Sequence, residues 1–279
     1  MAMFRSPAVS LLGQYASQTQ LPQAMSLLAF VGGLVGAAKP VAGDFILNLG
    51  PAFAFAIGSF VLLGAVAFLR SVNPDTALSE LPPDIAISER VSITALGLVA
   101  VTGMAVAWGS RAMGERVLPH VFQTQIAAVD SKLLMAGFSL ALAFASLLAG
   151  VIAVRWGNQR TLLGGLVATA VLLLVMVFSQ GFVMVAATVL AVIFTNSLII
   201  TAVVPFALSL VPGPRGRLGV GFYFGGFSLG MALYSVVFVA PQVVPAGTTA
   251  IVGAIPYGIA ALHAFLLAGV CVVAGDRLK

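Results

Sequence analysis

The run TLLGGLVATAVLLLVMVF, Thr161 to Phe178, decides the fold. It contains no charged residue. A helix needs about 20 mostly apolar residues to cross a ~30 Å hydrocarbon core. A transmembrane strand would instead alternate apolar and polar residues over about ten positions, and this run does not alternate. In lipid every backbone N–H and C=O must be paired within protein, and an unbroken helix does that alone. The run reads as a membrane-spanning helix.

Seven more stretches have the same character. With this one, the expected spans are 23–42, 47–69, 91–109, 133–154, 161–179, 182–206, 218–240 and 253–274. The whole chain agrees: of 279 residues 61% are hydrophobic and 8% are charged, against about 25% charged in a soluble domain. Mean hydropathy is +1.13. The expected class is an all-α polytopic membrane protein with about eight transmembrane helices.

The net charge of +5 does not indicate a nucleic-acid partner. The basic residues stand singly or in pairs at the ends of apolar runs, as membrane anchors do, and not in one patch. With the N-terminus cytoplasmic, Arg5, Arg70, Arg90, Arg155, Arg160, Arg215, Arg217, Arg277 and Lys279 lie inside. Lys39, Arg111, Arg116 and Lys132 lie outside. Nine against four is the positive-inside bias, so both termini are expected in the cytoplasm; the expected location is a bacterial inner membrane.

The single cysteine, Cys271, lies in an apolar run and reads as a small buried hydrophobe. Two histidines, one cysteine and no paired carboxylates inside a span leave no metal set or catalytic dyad. The expectation is no enzyme, no metal and no cofactor. A Ser228–His263 pair of the intramembrane protease kind lacks its motif.

Two loops exceed a hairpin. Residues 71–90, with Pro74, Pro82, Pro83 and the acids Asp75, Glu80, Asp84 and Glu89, read as a cytoplasmic linker. Residues 110–132 read as an external, solvated segment. Two regions also repeat. Ala8–Ala38 and Ala207–Ala232 each carry a polar loop with proline, an aromatic residue, a Gly-Gly pair and a third glycine one turn on. These are Gly32, Gly33, Gly36 and Gly225, Gly226, Gly230, a pattern that duplicated transporter halves leave. Gly221, Gly225, Gly226 and Gly230 read as a helix-packing face, because close backbone approach holds helices together in lipid.

The hairpin GVIAVRWGNQR, Gly150 to Arg160, resembles the cytoplasmic signature of the major facilitator superfamily, roughly G-x-x-x-D-R-x-G-R-[RK]. Gly150, Arg155 and Gly157 fall on matching positions and Arg160 stands near the basic end. Val154 replaces the aspartate and Asn158 an arginine. The competing reading is a generic basic hairpin. VPGPRGRLGVG, Val211 to Gly221, looks like the helix 10–11 loop of the superfamily. FRSPAVSLLGQYAS, Phe4 to Ser17, is similar to the end of helix 4 in its sugar and cation symporter branch.

In that register the eight spans are helices 5 to 12, and the first four helices of a twelve-helix transporter are absent. The resemblance implies a partial major facilitator fold from a truncated chain, the alternative being an intact eight-helix protein: 1–70 a two-helix remnant of the N-terminal half, 71–90 the linker, 91–279 the C-terminal six-helix half, with spans 1 and 2 packed apart from the six. It also implies a secondary transporter or symporter of a small solute, with or without a coupling cation, with Gly150, Arg155, Gly157 and Arg160 as a cytoplasmic gating hairpin. Membrane lipid is the other expected partner. The alternative is a non-transporting assembly factor for pigment or light-harvesting complexes, a branch of the same superfamily.

Substrate-cavity candidates are the polar residues within spans, which are costly there. They are Asn196 with Thr195 in FTNSLIIT, then His263, Tyr223 and Tyr234. The competing readings are interhelical hydrogen bonds for Asn196, a satisfied buried imidazole for His263 and interfacial anchoring for the tyrosines.

Overall fold

The structure, a computed structural model, describes residues 20–72, 93–125, 129–209, 216–238, 251, 254–260 and 262. Among these no strand occurs, and seven helices are long and apolar enough to cross a membrane. They are α1 (Leu21–Asn48), α2 (Pro51–Val72), α3 (Ile93–Ala112) continued by α4 (Leu118–Gln125), α5 (Ser131–Trp156), α6 (Asn158–Phe178), α7 (Phe182–Ser209) and α8 (Gly216–Phe238). The expected eighth span, 253–274, is described at 254–260 and 262, where it is helical. Of the linker expected at 71–90, residues 71 and 72 end α2; the rest of it and His263 lie outside the described residues.

The chain divides into two compact units. One joins Met1–Ala37 to Val91–Lys279; the other is Ala38–Arg90. In the second unit, the end of α1 turns into α2 at Gly50, whose φ of +93° suits glycine. Most described side chains of α2 are exposed: Phe53, Phe55 and Phe60 are all more than 60% exposed. For a helix in hydrocarbon that surface is at home, because lipid tails are as apolar as the side chains.

The first unit is built around α7, the most enclosed span, with α5 and α6 on it and α8 against α3. Residues Leu21–Ala37 of α1 also belong here. Gly33 lies where an added Cβ would come within 2.7 Å of Ala143 Cβ on α5, and the Ser146 hydroxyl donates to the Ser26 carbonyl at 3.0 Å. Phe30 meets Phe144 edge-on. The first span therefore does not pack apart from the later helices, contrary to expectation. Small residues on both helices permit the approach, and the hydroxyl bond fixes it.

The second difference concerns residues 110–125. They are no loop: α3 runs into a π-helical turn, Met113–Val117, and on through α4, a span of 33 residues. At ~1.5 Å per residue this is about 50 Å, longer than the hydrocarbon core. Met113, Val117, Leu118 and Phe122 recur at helical spacing and are buried. Arg111, Glu115, Arg116 and His120 between them lower the hydropathy and hide that stripe from a span search.

Candidate functional site

Among the described residues, five of the buried polar side chains lie on α7: Thr188, Thr195, Asn196, Ser197 and Thr201. Asn196 stands 14 residues after Phe182 and 13 before Ser209, so it lies at the centre of the helix, and it is buried. Thr195, Ser197 and Thr201 are buried beside it. Most of these hydroxyls are engaged. Thr169 of α6 donates to Thr195 Oγ1 at 2.9 Å, and Thr195 donates to the Val192 carbonyl. Ser197 bonds the Ile193 carbonyl and reaches the Leu142 carbonyl of α5 at 3.4 Å. Nearer one end, Ser179 and Thr188 meet at 3.2 Å. Pro205 sits inside α7 and has no N–H, so the Thr201 carbonyl loses its usual donor.

The Thr169–Thr195 bond is testable. A double-mutant cycle with Thr169→Val and Thr195→Val should return a coupling of about 0.6 kcal/mol, the average for interhelical hydrogen bonds in a bilayer. Unfolding in graded dodecyl sulfate measures it; strictly additive changes would show that the bond adds nothing.

Tyr223 and Tyr234 are both buried on α8. The Tyr223 ring packs on Phe224 and Phe227, and the Tyr234 ring on Trp108 and Phe238. The glycine face is half as expected. A Cβ on Gly226 would overlap the Ala100 carbonyl of α3, and one on Gly230 the Met104 carbonyl; on the other side Gly103 meets the Tyr223 carbonyl. Gly221 and Gly225 face open space. The correction follows from helix geometry: Gly225 and Gly226 are neighbours in sequence and point about 100° apart. The buried stripe is Tyr223, Gly226, Gly230, Tyr234. The internal repeat obeys the same rule. Gly32 and Gly225 are open, whereas Gly33 and Gly226, then Gly36 and Gly230, meet a neighbouring helix.

Sequence reasoning missed a polar–aromatic cluster where α3 ends against the end of α8. Arg111 pairs with Glu115 at 2.9 Å and reaches Ser235 Oγ at 3.4 Å. Arg116 donates to the Phe238 carbonyl at 2.9 Å, and its guanidinium lies 5.7 Å from the Phe238 ring centroid. Trp108, Tyr234 and Phe238 pack ring to ring. Beneath them Gly109 leaves room for the buried Tyr257 ring, whose hydroxyl meets Ser110 at 3.1 Å. The π-turn widens the helix where Arg116 turns toward α8, and such turns recur at functional sites. The signal in sequence was the pairing of Trp108 and Arg116 with the YSVVF run at Tyr234–Phe238, which no spacing rule within one helix connects.

The hairpin residues lie at one tip. Gly157 alone joins α5 to α6, with φ +85° and ψ 149°, backbone that a side chain strains. Arg155, Trp156, Gln159 and Arg160 are exposed, and Gly150 packs on Ser26 of α1.

These features define a multi-pass α-helical membrane protein. The chain matches no model of a known protein family, and no curated protein matches it.

Proposed function

We propose that the protein is a secondary transporter of a small solute, working by alternating access in the manner of the major facilitator superfamily. The observation that carries this reading is Asn196: a carboxamide at the middle of the most enclosed span, flanked by Thr195 and Ser197. Transporters bind solute near the midplane, where the helical repeats meet. The glycine seams support it as well, since smooth backbone contacts let helices shift without unpacking large side chains. In this reading both termini are cytoplasmic, the membrane is a bacterial inner membrane, and Gly150, Arg155, Gly157 and Arg160 form an inner gating hairpin.

The engaged hydroxyls of α7 favour a second reading, a membrane assembly factor that moves no solute, because groups committed to helix–helix bonds are not offered to a substrate. Cysteine accessibility separates the two. With Cys271→Ser as background, Asn196→Cys in sealed vesicles should react with a charged, water-borne maleimide from at least one side. Failure to react from either side sinks the transport reading. In the same background, Arg155→Cys should label from the cytoplasmic side and Lys132→Cys from the opposite one; labelling of both from one side would overturn the topology.

A further inference from the structure

We propose that the first turn of α6, at the tip of the α5–α6 hairpin, is a binding site for a phosphate-bearing anion: the headgroup of an anionic lipid or free phosphate. It needs only the membrane-embedded helical fold and is independent of any transport role.

The first N–H groups of a helix have no intrahelical acceptor, and the helix dipole makes that end positive. Often a Ser, Thr, Asp or Asn side chain caps them. In α6 the capping position is Gly157, which makes no side-chain cap bond. Two further atoms there want partners. Thr161 is 1% exposed, and its Oγ1 has no hydrogen-bond partner among the described residues; Asn158 Oδ1 is likewise buried and unpartnered there. Helical side chains lean toward the N-terminus. That lean directs the Thr161 side chain toward the turn at Gly157–Asn158, and residues three apart share a helix face, so both orphans belong to the side of α6 that its uncapped end presents. Their chemistry suits an oxyanion: the threonine hydroxyl donates, and rotating the Asn158 carboxamide brings Nδ2 to the place of Oδ1.

Charge selects the sign. Arg155 and Arg160 flank the turn and are exposed, whereas no Asp or Glu occurs anywhere from Ser131 to Ser209. A cation is excluded by the same field. Trp156, 64% exposed, stands next to Gly157; its amphipathic ring belongs at headgroup depth, where lipid phosphates lie.

The test uses the full chain in phosphatidylcholine vesicles. Trp108→Phe leaves Trp156 as the sole tryptophan, and quenching by brominated phosphatidylglycerol is compared with quenching by brominated phosphatidylcholine at equal mole fraction. The expected preference for the anionic lipid is about fivefold, the ratio equivalent to the ~1 kcal/mol that one arginine gains near an anionic leaflet. Arg155→Gln with Arg160→Gln should abolish it. Thr161→Val changes no charge and should still reduce it by half or more. Native mass spectrometry of the unsubstituted chain, counting phosphatidylglycerol retained, gives the same comparison without replacing Trp108. If millimolar inorganic phosphate competes the preference away, the site takes phosphate from either source; if it does not, the site is specific for the lipid. A preference untouched by Thr161→Val, or none at all, overturns the proposal and leaves an ordinary basic rim.

Discussion

Gly226→Leu is expected to part α3 from α8 and cost on the order of 3 kcal/mol, the upper range for overpacking a close contact. Two effects oppose each other. Replacing a helical glycine gains about 1 kcal/mol of helix propensity. At Gly226 the new Cβ overlaps the Ala100 carbonyl, and backbone cannot step aside as the end of a flexible side chain can, so the overlap dominates. At Gly225, with nothing within 4 Å of an added Cβ, only the propensity gain remains. Thermal unfolding in mild detergent, followed by size-exclusion chromatography, should show Gly226→Leu much less stable and Gly225→Leu unchanged or slightly improved. Equal losses at both positions would show that the seam is not where the structure puts it.

The next largest effect is expected at Arg116. It caps the end of α8 through the Phe238 carbonyl and lies against the Phe238 ring. Arg116→Ala should cost about 1–2 kcal/mol, the sum of a cation at a helix C-terminus, about 0.3–1 kcal/mol, and a cation–π contact, about 0.5–1 kcal/mol. Arg111→Ala is the control. Its pair with Glu115 has side chains 31% and 48% exposed, and such pairs contribute less than about 1 kcal/mol. Arg116→Lys keeps the charge but loses the planar fork, so it should fall between the two. The readout is the detergent unfolding midpoint. Arg111→Ala proving the more harmful would mean that the cluster is held by its ion pair and not by the cap.

Much of this fold was legible in sequence because membrane spanning depends on one-dimensional properties: length, hydropathy and the absence of charge. Thr161–Phe178 satisfies all three, and the helix is there. Met113–Phe122 fails them, because Arg111, Glu115, Arg116 and His120 interrupt an apolar stripe that only a partner surface completes. Asn196 was legible as a polar residue in an apolar run, and its position at the centre of α7 follows from counting. Which glycines pack was not legible: Gly225 and Gly226 differ only in direction, and direction matters only once α3 is placed. The Trp108–Arg116–Phe238 cluster joins residues more than a hundred positions apart, through three-dimensional packing alone.

The one-residue connection at Gly157 also bears on how the chain enters its membrane. Two helices of 26 and 21 residues joined by a single glycine leave no polar loop for the insertion machinery to pause on. During synthesis α5 cannot settle across the bilayer with a free tether behind it; α6 follows at once and must double back. The pair is thus expected to partition as a helical hairpin, with Arg155 and Arg160 together at its tip. A mutation that lengthened this joint would then act first on biogenesis, changing how much protein reaches the membrane before it changed anything the finished molecule does.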